Sequence, residues 1–308
     1  MHITTPISAA SILTCLALAA GCGGGGGNAP GATPAAQAGG SIEDQLGFTR
    51  RGIAAAQAKV ENAVAACMKS QGFEYVPVDP GAAQAALTGR PNLSDEEFER
   101  QFGYGISTLY GRGSPQSDPN NTYRESLGVA DRRAYDQALS GGQPEQTFYL
   151  AVDTGDFSQL GGCTKQATDA LFGGTELLTT LQRKLDELDD SILADQRMVR
   201  AGEAWTRCMR AATGSAYEDS EAVEDEIHKQ FEAIVGTPLP PGQVAPEGSY
   251  DKAALAALQR REVELSDHDL KCEHEHITPV ETVVRAENEA AFRETNAELL
   301  RRVKPLGS

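Results

Sequence analysis

Apolar residues recur every three or four positions through most of this chain, and hardly anywhere every two. Ile53, Val60, Val64, Cys67 and Met68 lie on one helical face, and Gly72 stands where a left-handed residue closes a helix, so the spacing predicts a helix ending near Gln71. Ser94, with Glu97 three residues later and Phe98 and Phe102 beyond, forms a capping box. Asp131 to Leu139 reads as another helix, stopped by Gly141 and Gly142. Leu178, Leu181, Leu185, Leu188, Ile192 and Val199 alternate spacings of three and four with one position skipped. They predict a long helix from about Glu176 to Thr213, the spine of the architecture. Two further helices are expected to close the chain. One runs from Asp251 to Glu275; the other takes Thr278 as N-cap, Pro279 as first residue and Glu281 to complete the box, and runs to Val303. The proline-rich stretch from Thr237 to Gly248 is the strongest loop, and Phe73 to Val76, ended by Pro77, is the one strand candidate. The pattern predicts an all-α fold, an elongated helical bundle with a long central helix.

The start of the chain reads differently. Pro6 to Ala20 is a weakly apolar run shorter than the roughly 18 residues a spanning helix needs, as in the apolar region of a signal peptide. Leu18-Ala19-Ala20-Gly21-Cys22 follows directly and resembles the lipobox of bacterial lipoproteins, although Ala19 replaces the commoner Leu and no Lys or Arg precedes the apolar run. The resemblance implies that residues 1–21 are a signal peptide and that Cys22 is acylated, palmitate included, at the mature N-terminus. An ordinary secretory peptide cleaved nearby is the simpler alternative. Residues 22–42, Gly/Ala/Pro-rich, then read as a flexible tether that could hold the chain off the outer face of a cytoplasmic membrane.

Charge narrows the field. A net charge of −17 argues against nucleic acid, whose phosphates need Lys and Arg partners. A mean hydropathy of −0.37 with 6% aromatic residues argues against a polytopic membrane protein. No Gly-x-Ser-x-Gly, phosphate-loop Gly-Lys, His-Glu-x-x-His or Cys-x-x-Cys motif occurs, so no catalytic residue and no cofactor is indicated. The Arg bias, 19 against 8 Lys, is what a GC-rich genome produces.

A weak internal repeat links the cysteines. Cys67-Met68-Lys69 with Gly72 and Tyr75 matches Cys208-Met209-Arg210 with Gly214 and Tyr217, and each copy is followed at a distance by another Cys, Cys163 and Cys272. Four Cys allow three pairings; the repeat points to Cys67 with Cys163 and Cys208 with Cys272. The pattern resembles uncharacterised actinobacterial lipoproteins with paired Cys-Met and downstream Cys segments, a resemblance that implies compartment and fold but no chemistry. It divides the chain into two disulfide-pinned helical units, residues 43–175 and 176–308.

Two groups of residues are candidates for function. His268, Cys272 and His276 are spaced i, i+4, i+8 and His274 lies among them, so His268, His274 and His276 with Glu264 or Asp267 form a candidate divalent-metal set. Two turns separate His268 from His276, about 12 Å, so one ion would need the helix to end or bend between them. Phe102-Gly103-Tyr104-Gly105-Ile106 with Tyr110 is a glycine-rich aromatic loop that could stack on a ligand or merely cover a core. The expected function is a non-catalytic binding or scaffolding module at the cell envelope, with an envelope protein or cell-wall component as partner. Metal handling and an envelope hydrolase are the alternatives.

Overall fold

The structure is a computed structural model that describes residues 41–90, 93–112, 119–143, 146–236 and 248–306. The expected signal peptide, Cys22, nearly all of the tether and most of the Thr237–Gly248 loop lie outside the described residues. The helices are α1 (Ile42–Leu46), α2 (Arg50–Ser70), α3 (Pro80–Thr88), α4 (Asp95–Phe102), α5 (Pro119–Ser126), α6 (Val129–Ser140) and α7 (Phe148–Thr154). They continue with α8 (Gly162–Phe172), α9 (Thr175–Leu193), α10 (Gln196–Thr213), α11 (Ser220–Val235), α12 (Lys252–Cys272), α13 (Thr278–Thr295) and α14 (Ala297–Arg302). The fold is all-α, and no strand occurs among the described residues. The strand candidate at Phe73–Val76 is extended but has no strand to pair with. The buried Asn120 side chain takes the part of one, accepting from Val76 N at 2.7 Å and donating to Val76 O at 2.8 Å.

Three of the predicted helix ends hold. Ser94 and Glu97 form both bonds of the capping box of α4, and Gly72 (φ 87°) and Gly141 (φ 70°) follow α2 and α6 in the left-handed region. The expected spine from Glu176 to Thr213 is instead two helices. Asp195 turns extended and caps α10 by accepting from Arg197 N, so the backbone breaks after Ala194. The buried stripe passes from Leu188 and Ile192 to Met198, Ala201, Trp205 and Met209, leaving Val199 52% exposed. The skipped position marked this shift of phase.

The opposite happens near the C-terminus. Instead of ending near Glu275 and restarting at Thr278, the chain runs helical from Lys252 to Thr295 through a π-turn over Glu273–Ile277. Pro279 has no N–H to give and its ring would press on a carbonyl four residues back, so the preceding turn widens, with Thr278 N bonded to Glu273 O. Thr278 is helical rather than a cap, and Glu281 bonds Arg285 rather than closing a box.

Cys67 is bonded to Cys163 with Cα atoms 5.7 Å apart, and Cys208 to Cys272 at 5.8 Å, the pairing to which the repeat pointed. The copies correspond closely. Met68 and Met209 are both fully buried, and Tyr75 and Tyr217 pack beside them, each donating its hydroxyl to a carboxylate, Glu61 and Glu226. Disulfides persist outside the reducing cytosol, so the folded chain belongs to an oxidising, extracytoplasmic compartment. Among the described residues no helix is long and apolar enough to cross a membrane.

Contacts cross the expected unit boundary at 175/176. Leu178 and Leu306 join the core around Cys163, while Ile42 and Leu46 join Leu181, Leu185, Val284 and Phe292. A third core gathers Trp205, Met209, Tyr217, Ile227, Leu258 and Leu265 round Cys272, and α4 packs on α12 beside it.

Candidate functional site

The polar chemistry of the chain converges on α12. Its buried face repeats at helical spacing through Leu255, Leu258, Glu262, Leu265, Asp269 and Cys272, so two carboxylates stand in an apolar stripe. A charge on such a face has to be compensated locally, and each of these is, by groups distant in sequence.

Glu262 is fully buried under the glycine-rich aromatic loop. It accepts from Ile106 N at 2.7 Å, Ser107 N at 2.8 Å and Thr108 N at 3.2 Å, and from the Ser107 hydroxyl. Three successive amides thus wrap one carboxylate, as in an anion-binding nest. Gly103 (φ 61°) lets the loop approach this closely, since a Cβ there would come within 2.9 Å of the Glu262 side chain and 3.0 Å of its carbonyl.

Asp269, one side of the same stripe further on, is 4% exposed and accepts from Tyr104 Oη at 2.9 Å, Trp205 Nε1 at 2.8 Å and Ser220 Oγ at 3.2 Å. Burial raises its pKa despite these bonds. Ser220 also lies 3.2 Å from Glu273, whose pKa is pushed up to about 7 by burial first and by the Asp269 charge second. The Ser220 hydroxyl thus bridges the two carboxyl groups at equal distance.

The two tyrosines of the aromatic loop are placed differently. The Tyr104 hydroxyl is committed to Asp269 and its pKa is raised, chiefly by burial; the Tyr110 ring stacks edge-on against Phe231 and Tyr250. Tyr104 thus ties the loop to α12, while Tyr110 also lines a cleft between the loop and α12. Trp205 packs in the core cluster that holds Cys208 and Cys272, and its bond to Asp269 had no sequence signal.

The histidines are not gathered into one site. His268 is half-buried on α12, and exposed His274 opens into a cleft of about 450 Å³ with Arg100, Asp267, Leu270, Lys271 and Glu275. His276 lies beside Glu275, with Nε2 3.8 Å from Oε1. The chain continues helical past both residues through the π-turn. Among the described residues, ligand atoms of three His, Cys, Asp or Glu come within 4.8 Å of one another at Cys208, Glu275 and His276. Glu275 and Cys208 therefore take the places that sequence spacing gave to His268 and His274.

A second cleft, of about 540 Å³, lies between α4, the aromatic loop and α12, with Arg112, Arg260, Gln101 and Gln259 on its walls. No known protein family, curated protein or solved structure matches this chain.

Proposed function

We propose that the chain is a lipid-anchored extracytoplasmic binding or scaffolding module, held to the outer face of the cytoplasmic membrane through Cys22 and presenting a disulfide-pinned helical body to an envelope partner. The observation that carries this reading is the pair of disulfides, which suit an oxidising compartment. The lipobox-like run Ala19-Ala20-Gly21-Cys22 supports the anchor. The binding role is supported by how the polar residues are spent. Glu262 and Asp269, with Tyr104 and Ser220, hold helices and loop together, an arrangement that suits a rigid surface.

Replacing Cys22 by Ser in the expressing cell tests the anchor. The parent should fractionate with membranes and its intact mass should carry acyl chains, and the variant should be soluble and unacylated. A variant that stays with membranes and a parent without acyl mass refute the anchoring.

A further inference from the structure

We propose that the Cys208–Cys272 bond is the oxidised form of a Zn²⁺ site whose four ligands are Cys208, Cys272, Glu275 and His276. The Cys208 sulfur, a Glu275 oxygen and a His276 nitrogen already lie within 4.8 Å of one another, and the Cys272 sulfur is 2.04 Å from that of Cys208. Tetrahedral zinc with bonds of about 2.0 to 2.3 Å holds its ligand atoms about 3.3 to 3.8 Å apart. Glu275 and His276, 3.8 Å apart at Oε1 and Nε2, are near that spacing. Breaking the disulfide lets the two sulfurs separate to it by side-chain rotation.

The ligands come from three places. Cys208 is on α10, Cys272 ends α12, and Glu275 and His276 belong to the π-turn, which packs against α10. In an uninterrupted α-helix residues three and four apart share a face. Glu275 and His276 follow Cys272 by three and four residues in the turn that packs against α10, and their ligand atoms lie within 4.8 Å of the Cys208 sulfur there. Two thiolates, an imidazole and a carboxylate are a donor set that zinc accepts. Glu275 is exposed and His276 and Cys208 half-buried, which leaves an entry path.

The chemistry balances with a dithiol reductant. One thiolate of the reductant attacks a sulfur of the protein disulfide, the S–S bond breaks, and a mixed disulfide forms. The second reductant thiol resolves it, leaving Cys208 and Cys272 as thiols and the reductant as a disulfide, a transfer of two electrons and two protons. Zn²⁺ then displaces both thiol protons to the buffer and takes neutral His276 and ionised Glu275. Metal and disulfide exclude each other: oxidised protein lacks the thiolates, and zinc-loaded protein has both sulfurs occupied. The other disulfide, Cys67–Cys163, forms no such group among the described residues and serves as an internal control. The site does not depend on membrane anchoring.

The test uses the mature chain carrying Cys22→Ser, so that only the two disulfides supply thiols. Zn²⁺ is titrated into oxidised and phosphine-reduced protein against a chromophoric chelator, and Co²⁺ replaces it to read thiolate-to-metal charge transfer. Reduced protein should bind one ion with a tetrahedral thiolate spectrum, and oxidised protein none at the same concentration. His276→Ala and Glu275→Ala should each weaken binding at least tenfold. Equal binding by oxidised protein, or unchanged affinity in both variants, overturns the site. A second measurement needs no ligand variant. Peptide mapping of reoxidation should show Zn²⁺ slowing closure of Cys208–Cys272 at least tenfold and leaving Cys67–Cys163 unchanged; equal rates for both pairs overturn it too.

Discussion

Glu43 makes the docking of α1 depend on pH. The Arg285 guanidinium, only 7% exposed, faces Asp189 at 3.0 Å, Glu281 at 2.9 Å and Glu43 at 3.8 Å. Next to it Glu289 accepts from Ile42 N at 3.1 Å and pairs with Arg293 at 3.0 Å. Four carboxylates thus share two guanidinium groups, with Asp44 and Asp186 close by. Glu43 has the longest contact, and its pKa is pushed from 4.5 up to about 7, by burial first and the Asp189 charge second, with Arg285 opposing. The docked pKa is the higher one, so docking is fully supported below pH 4.5 and weakens as pH rises through about 7. The whole swing is about 3 kcal/mol, and between pH 6 and 8 the opening constant of α1 should rise about tenfold. Hydrogen exchange reads it directly, at Ile42 N bonded to Glu289, Phe48 N bonded to Glu43 O, and Leu306 N bonded to Leu46 O. After correction for base-catalysed exchange, protection at these amides should fall about tenfold over that range, and Glu43→Gln should flatten the dependence. The same slope in the Gln variant, or no slope in the parent, would refute the reasoning.

Replacing Glu262 by Ala strands two buried amides, a partly buried one and a hydroxyl, and should cost about 3 to 5 kcal/mol in urea unfolding, with water entering the space limiting the loss. A cost below about 1 kcal/mol would mean the nest does not hold the aromatic loop. Each disulfide closes a long loop, with sequence separations of 96 and 64, so removing either by paired Cys→Ala replacement should lower stability by about 4 to 5 kcal/mol as an upper figure. Unchanged thermal unfolding after either removal would contradict that.

The sequence by itself determined the all-α class, several helices and some of their ends, and it pointed to the cysteine pairing. Those rest on local rules: side chains three and four apart share a face, Ser and Glu cap their own turn, and a glycine tolerates positive φ where the helix stops. The repeat around Cys67 and Cys208 carried the pairing because each Cys-Met end brings its neighbours with it. The junctions were different. Asp195 and Pro279 each carry a local signal for a helix end, yet the chain breaks at the first and continues through a π-turn at the second. Packing of α10 and α13 against their neighbours decided between them, and a local rule cannot weigh that. The site was the least legible part. Asp269 lies in a charged run that resembles solvated helix surface, and only its place in the stripe of Leu258, Glu262, Leu265 and Cys272 marks it as buried. Its partners Tyr104, Trp205 and Ser220 come from 165, 64 and 49 residues away. Spacing along one helix proposed His268 with His276, but ligand atoms must meet in space, and those that meet are of Cys208, Glu275 and His276. Which charges are buried, and which ligands meet, was decided only when distant segments packed against α12.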